Sequence, residues 1–154
     1  MNSLIQDKNT VNLDFSLFKK KRIKVGKSDT DVIELDTSDM GIIIRLNEIE
    51  DKINSAIAKA KALTPESSIE EFAESIHTAD VEIRKAIDYL FDANVSNIVA
   101  PTGTMIDIHN GTYRFEYIIA TLIQLYDETI TSELNRQEKK AESHIQKYTE
   151  QTEQ

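Results

Sequence analysis

The sequence predicts a mainly α-helical fold: an antiparallel helical hairpin followed by a long C-terminal helix, with a small N-terminal antiparallel β element. Three observations carry this expectation. Apolar residues recur at helical spacing over three long stretches, separated by cap and breaker signals. Only four Gly and two Pro occur in 154 residues, too few for the turns of a β-sandwich or barrel. With 40% hydrophobic and 29% charged residues, the composition is that of a globular protein with one domain's worth of chain.

Residues 1–11 show no periodicity and are expected to fray. Leu13, Phe15 and Leu17 then alternate with Asn12, Asp14 and Ser16, the period-2 pattern of a half-buried strand. Ile23 and Val25 alternate with Arg22 and Lys24 in the same way. Gly26-Lys27-Ser28-Asp29 supplies a turn, from which Val32–Leu35 can return as a paired strand. Residues 12–35 therefore read as two or three antiparallel strands. So small an element is marginal alone and must pack on the helices.

Asp36-Thr37-Ser38-Asp39 offers four N-cap candidates in a row. Behind them Ile42, Leu46, Ile49, Ile53, Ala56 and Ala60 step by four and three, one apolar stripe along a helix over 39–63. Thr64-Pro65-Glu66-Ser67 breaks it, and Ser68 with Glu71 forms a capping box for a second helix. Phe72, Ile76, Ala79, Ile83, Ala86 and Leu90 carry that helix over 68–92, although Thr78 or Asp80 offers a second start. The short connection makes the two helices antiparallel neighbours.

Residues 93–112 are the least regular stretch, holding Pro101, Gly103 and Gly111. Asn110-Gly111 favours positive φ and can close a hairpin with Thr112–Phe115. The favoured alternative has Thr112 capping a helix, because Phe115, Ile119, Leu122, Tyr126 and Ile130 keep helical spacing. This third helix is expected to run from 113 to about 148, becoming polar after Leu134. The chain thus divides into a frayed 1–11, a single helical domain over 12–134 with its N-terminal β element, and a polar helical or frayed tail over 135–154.

The chemistry that the residues could support is sparse. Without Cys there are no disulfides, thiolate metal sites or Cys nucleophiles. His77, His109 and His144 form no i,i+4 pair and no HExxH, so no metal is expected. No GxSxG elbow and no GxxxxGK[ST] loop occurs. Glu70-Glu71 and Glu48-x-Glu50-Asp51 fall on solvent faces, where paired acid/base roles are not set up. The reading is of a protein that is not an enzyme and has no cofactor.

Charge is unevenly spread under the formal net of −9. Residues 1–27 hold seven basic and two acidic side chains, a net of +5, and 28–154 hold 11 basic and 25 acidic, a net of −14. Lys19–Lys24 can protect an edge strand, meet an acidic partner, or meet the protein's own acidic body. So acidic a body repels phosphate, which disfavours nucleic acid. No apolar run approaches the roughly 20 residues that span a bilayer, and the first residues lack a signal peptide's apolar core. No membrane partner is expected.

The three stripes are expected to face one another as a core, with part of one left as a groove for a partner helix. The loop Val95–Pro101 carries three bulky apolar residues and either lids the hairpin or binds a partner. Ile43 and Ile57 on the first helix, with Ile98 and Val99 in this loop, are the candidate partner-binding residues.

LDFSLFKKKRIKVG (13–26), VIELDTSDMGIIIRLNEIEDKI (32–53), AIDYLFDANVSNIVAPTG (86–103) and NGTYRFEYIIATLIQLYDE (110–128) occur in a distinctive order. With the polar KAESHIQKYTEQ (140–151), they resemble the small tail-assembly proteins of long-tailed phages infecting Gram-positive bacteria, commonly called tail-assembly chaperones. The likeness covers about two-thirds of the chain and is least at TPESSIEEFAES (64–75). It implies a helical, non-enzymatic protein of the host cytoplasm that holds a long helical tape-measure protein soluble while tail-tube subunits polymerise around it. Self-association is compatible with such a role. The alternatives are a phage regulator or anti-defence protein that binds a host protein, and a structural tail or connector component.

Overall fold

A computed structural model describes residues 8–15 and 17–136. The first ordered pairing is the hairpin of β1 (Lys21–Lys24) and β2 (Val32–Leu35), with Ile23 opposite Ile33 and Lys21 opposite Leu35. Ile33 and Leu35 are buried, whereas Arg22 and Glu34 face each other in solvent at 3.8 Å. The alternation of apolar and charged residues thus does here what the pattern predicts.

The expected strand over 12–17 does not form among the described residues. Val11, Leu13, Phe15, Leu17 and Phe18 are all exposed and pair with no strand. A period-2 pattern records which face is apolar, not whether the segment pairs: among the described residues no third strand joins either outer edge of β1 and β2.

α1 (Gly41–Lys61) begins two residues inside the expected boundary. Its first turn is capped by Asp39, whose carboxylate accepts from the Gly41 amide at 2.8 Å and pairs with Arg45 at 2.7 Å. Partial burial pushes the Asp39 carboxyl up, but the Arg45 hydrogen bond and the Gly41 amide outweigh it, and the pKa falls below the usual value. Asp36 instead closes the preceding turn, accepting from the Ser38 amide and hydroxyl.

α2 (Ile69–Phe91) is continuous, as its stripe predicts, and Ser68 caps it by accepting from the Glu71 amide at 3.1 Å. Thr78 and Asp80 open no second helix. α1 and α2 pack antiparallel: Arg45 donates to the Leu90 carbonyl at 2.9 Å, and Tyr89 donates to Glu48. Ile42, Ile49 and Ile53 of α1 bury against Ile83, Ile87 and Leu90 of α2, with Ile33 and Leu35 closing one end.

Arg84 and Asp80 explain how the irregular segment after α2 is held. Arg84 pairs with Asp80 at 3.0 Å, both side chains largely buried, and donates to the carbonyls of Ala100 at 2.8 Å and Gly103 at 3.0 Å. Asp80 accepts from the Met105 amide at 2.8 Å. One turn further on, Asp88 accepts from the Val95 and Ser96 amides and from the Ser96 hydroxyl. These contacts draw the short α3 (Ser96–Val99) onto α2 and bury Val95, Ala100 and Met105 completely. The loop is a lid over the hairpin. At Gly103 the backbone has φ +79, and an added Cβ would meet Asp107 Oδ2 at 2.6 Å and clash with Arg114.

Thr112 is not a helix cap. Asn110 (φ 51) and Gly111 (φ 79) close a tight hairpin between β3 (Ile108–His109) and β4 (Thr112–Tyr113). α4 (Arg114–Ile123) follows directly, with no side-chain cap at Tyr113. Its Arg114 and Phe115 amides donate instead to the Asp107 and Met105 carbonyls. The chain thus makes both the hairpin and the helix.

The expected long helix over 113–148 is interrupted at 124–127. The Asp127 amide leaves the helical pattern to donate to the Thr37 carbonyl at 3.0 Å, and the Asp127 carbonyl then starts α5 (128–136). This break turns Tyr126, Ile130 and Leu134 into the core. The remainder of the expected helix and tail (137–154), like residues 1–7, lies outside the described residues.

Two outcomes follow from this packing. Arg84→Ala leaves Asp80 partly buried without its cation and frees two loop carbonyls, so urea unfolding should show a loss of about 3 kcal/mol. Tyr126, buried beside Phe91 with ring centroids 6.2 Å apart, has its pKa pushed up by burial to about 12. A raised value favours the neutral phenol in the folded state, so its contribution is complete below pH about 10 and is lost as pH climbs toward 12. Melting curves between pH 9 and 12 should therefore fall less steeply for Tyr126→Phe than for the unaltered protein.

Candidate functional site

The four candidate partner-binding residues do not form one patch. Ile43, Ile57, Ile98 and Val99 are all half-buried and packed against the core. Ile98 and Val99 sit in α3, against α2. At 100° per residue, Ile43 and Ile57 share one side of α1 with Leu46 and Glu50. That side faces a groove between α1 and α4. Leu46, Phe115, Ile119, Ile123 and Leu134 line a hollow of about 520 Å³, and a second hollow of about 390 Å³ extends it to Ile57. Glu50 and Glu116 border both hollows, while Lys61 stands at the Ile57 end.

A second uncovered surface lies on the first half of α2. Ile69 is 87% exposed, Phe72 37% and Ile76 39%, although their spacing continues the stripe that is buried from Ala79 onward. The reason is on the facing helix. Toward α2 the last turns of α1 offer Ala56 and the flexible Lys59, too little bulk to close over a Phe and an Ile. A hollow of about 310 Å³ lies beside the stripe, between Ala56, Lys59 and Leu63 of the first arm and Glu71, Ser75 and Ala79 of the second. Periodicity reports which face is apolar, not whether its neighbour is large enough to cover it. Comparing the volumes of the two facing stripes would have shown the shortfall.

Electrostatics around these surfaces is mainly acidic. Glu70, Glu71 and Glu74 flank the exposed stripe of α2. On the opposite side of the hairpin, Tyr89 donates to Glu48, which raises its pKa, and Lys52 lies 6.0 Å above the Tyr89 ring. Asp107 is held below the usual carboxylate value chiefly by the Thr104 hydroxyl and amide, a contact that serves the loop's shape. His77 and His109 are exposed and lie on different elements, α2 and β3. Among the described residues, no group of three or more His, Asp or Glu side chains is placed to hold a metal ion.

No helix among the described residues is long and apolar enough to cross a membrane. Comparison with protein-family models, with curated proteins and with solved structures returned no match.

The division of the α2 stripe has a direct consequence for stability. Ile69→Ala removes a side chain that is 87% exposed and should change the unfolding free energy by less than about 1 kcal/mol. Ile83→Ala, in the fully buried half, should cost about 2–5 kcal/mol. Urea midpoints for the two variants measure where along the stripe the core ends.

Proposed function

We propose that this protein is a non-enzymatic, tail-assembly-chaperone-like factor of the host cytoplasm, which binds a long helical tape-measure protein and keeps it soluble while a phage tail tube assembles. The observation that carries this reading is the uncovered apolar face of α2, Ile69, Phe72 and Ile76 at helical spacing on a projecting hairpin end. An apolar stripe at i, i+3 and i+7 is the complement of an amphipathic helix laid against it. The resemblance in residue order described above supplies the class of client. The strongly acidic body supports the role by keeping loaded copies apart in solution.

Each such face is small, so one contact is weak and readily released. Many copies along one client still hold it firmly, because the second and later contacts form at high effective concentration.

Co-expression with the tape-measure protein of the same locus tests this. The unaltered chain should raise the client's soluble yield and co-purify with it. Phe72→Asp/Ile76→Asp should fold, as both positions are exposed by more than a third, and should lose the complex. Equal client solubility with and without the chain, and no complex on a sizing column, would contradict the role. Capture of a host protein in place of the client would then favour the regulator alternative.

A further inference from the structure

The segment that leads into β1 carries a run of exposed apolar side chains. Val11, Leu13, Phe15, Leu17 and Phe18 are each at least 70% exposed, five large apolar side chains within eight residues. Isolated exposed apolar residues are ordinary, but a run of this density marks a binding segment. Directly behind it come Lys19, Lys20, Lys21, Arg22 and Lys24. The arm is thus apolar at its front and cationic at its root.

The groove between α1 and α4 has the opposite character. Its walls are Leu46, Phe115, Ile119 and Ile123, and its border carries Glu50 and Glu116. The lengths agree as well. Leu46 to Ile57 spans about 16 Å at 1.5 Å per helical residue. Leu13 to Phe18 would span about 16 Å at 3.3 Å per residue once the turn at Leu17 and Phe18 is drawn out straight on docking. In an extended arm Leu13, Phe15 and Leu17 share one face, which suits a groove with an apolar floor.

None of the five apolar side chains lines the groove of its own chain, and the arm's root is fixed where Lys21 pairs with Leu35. Charge favours a partner of the same sequence. Two bodies of net −14 repel, and an arm region of net +5 laid on the neighbour's acidic surface offsets that repulsion.

We propose that residues 11–18 of one chain dock in the α1–α4 groove of a second copy of this chain. Lys61 at the Ile57 end directs the cationic root away from itself and toward Glu50 and Glu116, which border both hollows. Reciprocal exchange of two arms closes a two-fold dimer.

The lack of native cysteine makes disulfide trapping unambiguous. Full-length Phe15→Cys and a size-tagged full-length Ala120→Cys, both at exposed positions, are mixed and mildly oxidised. Ala120 lines the groove, and Lys85→Cys, on the hairpin face lined by Lys52 and Ser55, serves as control. The expected result is a cross-linked heterodimer of the Phe15 and Ala120 variants, at least tenfold in excess of the Phe15 and Lys85 product. Light scattering on the unaltered chain should give a mass of two copies or more. Phe15→Asp/Leu17→Asp should shift it to one copy, and 0.5 M salt should weaken association. A monomeric unaltered chain, trapping no better than the control, or an intrachain disulfide as the main product of a Phe15→Cys/Ala120→Cys double variant would each overturn the proposal. No client enters these measurements, so their outcome is independent of the role proposed above.

Discussion

Arg84 reaches from the middle of α2 into a segment with almost no regular structure, and its planar fork supplies what that segment lacks. Residues 93–107 have few helical or strand partners for their backbone groups, yet Val95, Ala100 and Met105 are fully buried. Burial of backbone carbonyls and amides without partners would oppose this packing. Arg84 supplies donors to the carbonyls of Ala100 and Gly103, while Asp80 and Asp88 supply acceptors to the amides of Met105, Val95 and Ser96. The ion pair with Asp80 orients the guanidinium in a site where both side chains are largely buried. From this clasp the rest follows: Met105 and Asp107 receive the first amides of α4, and α4 leads into the turn that seats Tyr126, Ile130 and Leu134.

Helices were legible where a stripe, a cap and a breaker agreed. α1 and α2 lie within two residues of their expected ends, and Ser68 caps as its spacing to Glu71 implies. What failed was set by distant partners. Asp127 ends α4 because its amide finds Thr37, 90 positions earlier, and no local residue announces that bond. The segment 12–17 alternates like a strand, yet it joins neither outer edge of the β1–β2 sheet among the described residues. Asn110-Gly111 does announce its turn, and hairpin and helix are compatible because β4 ends where α4 begins.

The interaction surfaces were less legible than the core. Of the four candidate residues, Ile43 and Ile57 fall on the side of α1 that faces the groove, while Ile98 and Val99 hold α3 down. Phe72 and Ile76 read as core because a stripe records polarity alone, and the slight bulk of Ala56 and Lys59 on the facing helix decides exposure. The uncovered half of α2, the groove and the apolar arm are three exposed apolar features on an acidic body, and the two proposals above rest on them. In the proposed self-association, the one cationic segment offsets the charge that otherwise keeps copies apart.

The dependence of the loop on α2 is tested most directly by native-state hydrogen exchange. If Arg84, Asp80 and Asp88 make loop and helix one cooperative unit, the Val95, Ser96 and Met105 amides should be protected to within about tenfold of Ile83 and Ile87. Exchange of those three loop amides hundreds of times faster than α2, on the order of a local opening, would contradict the account, because the loop would then be an attachment rather than the clasp that seats α4.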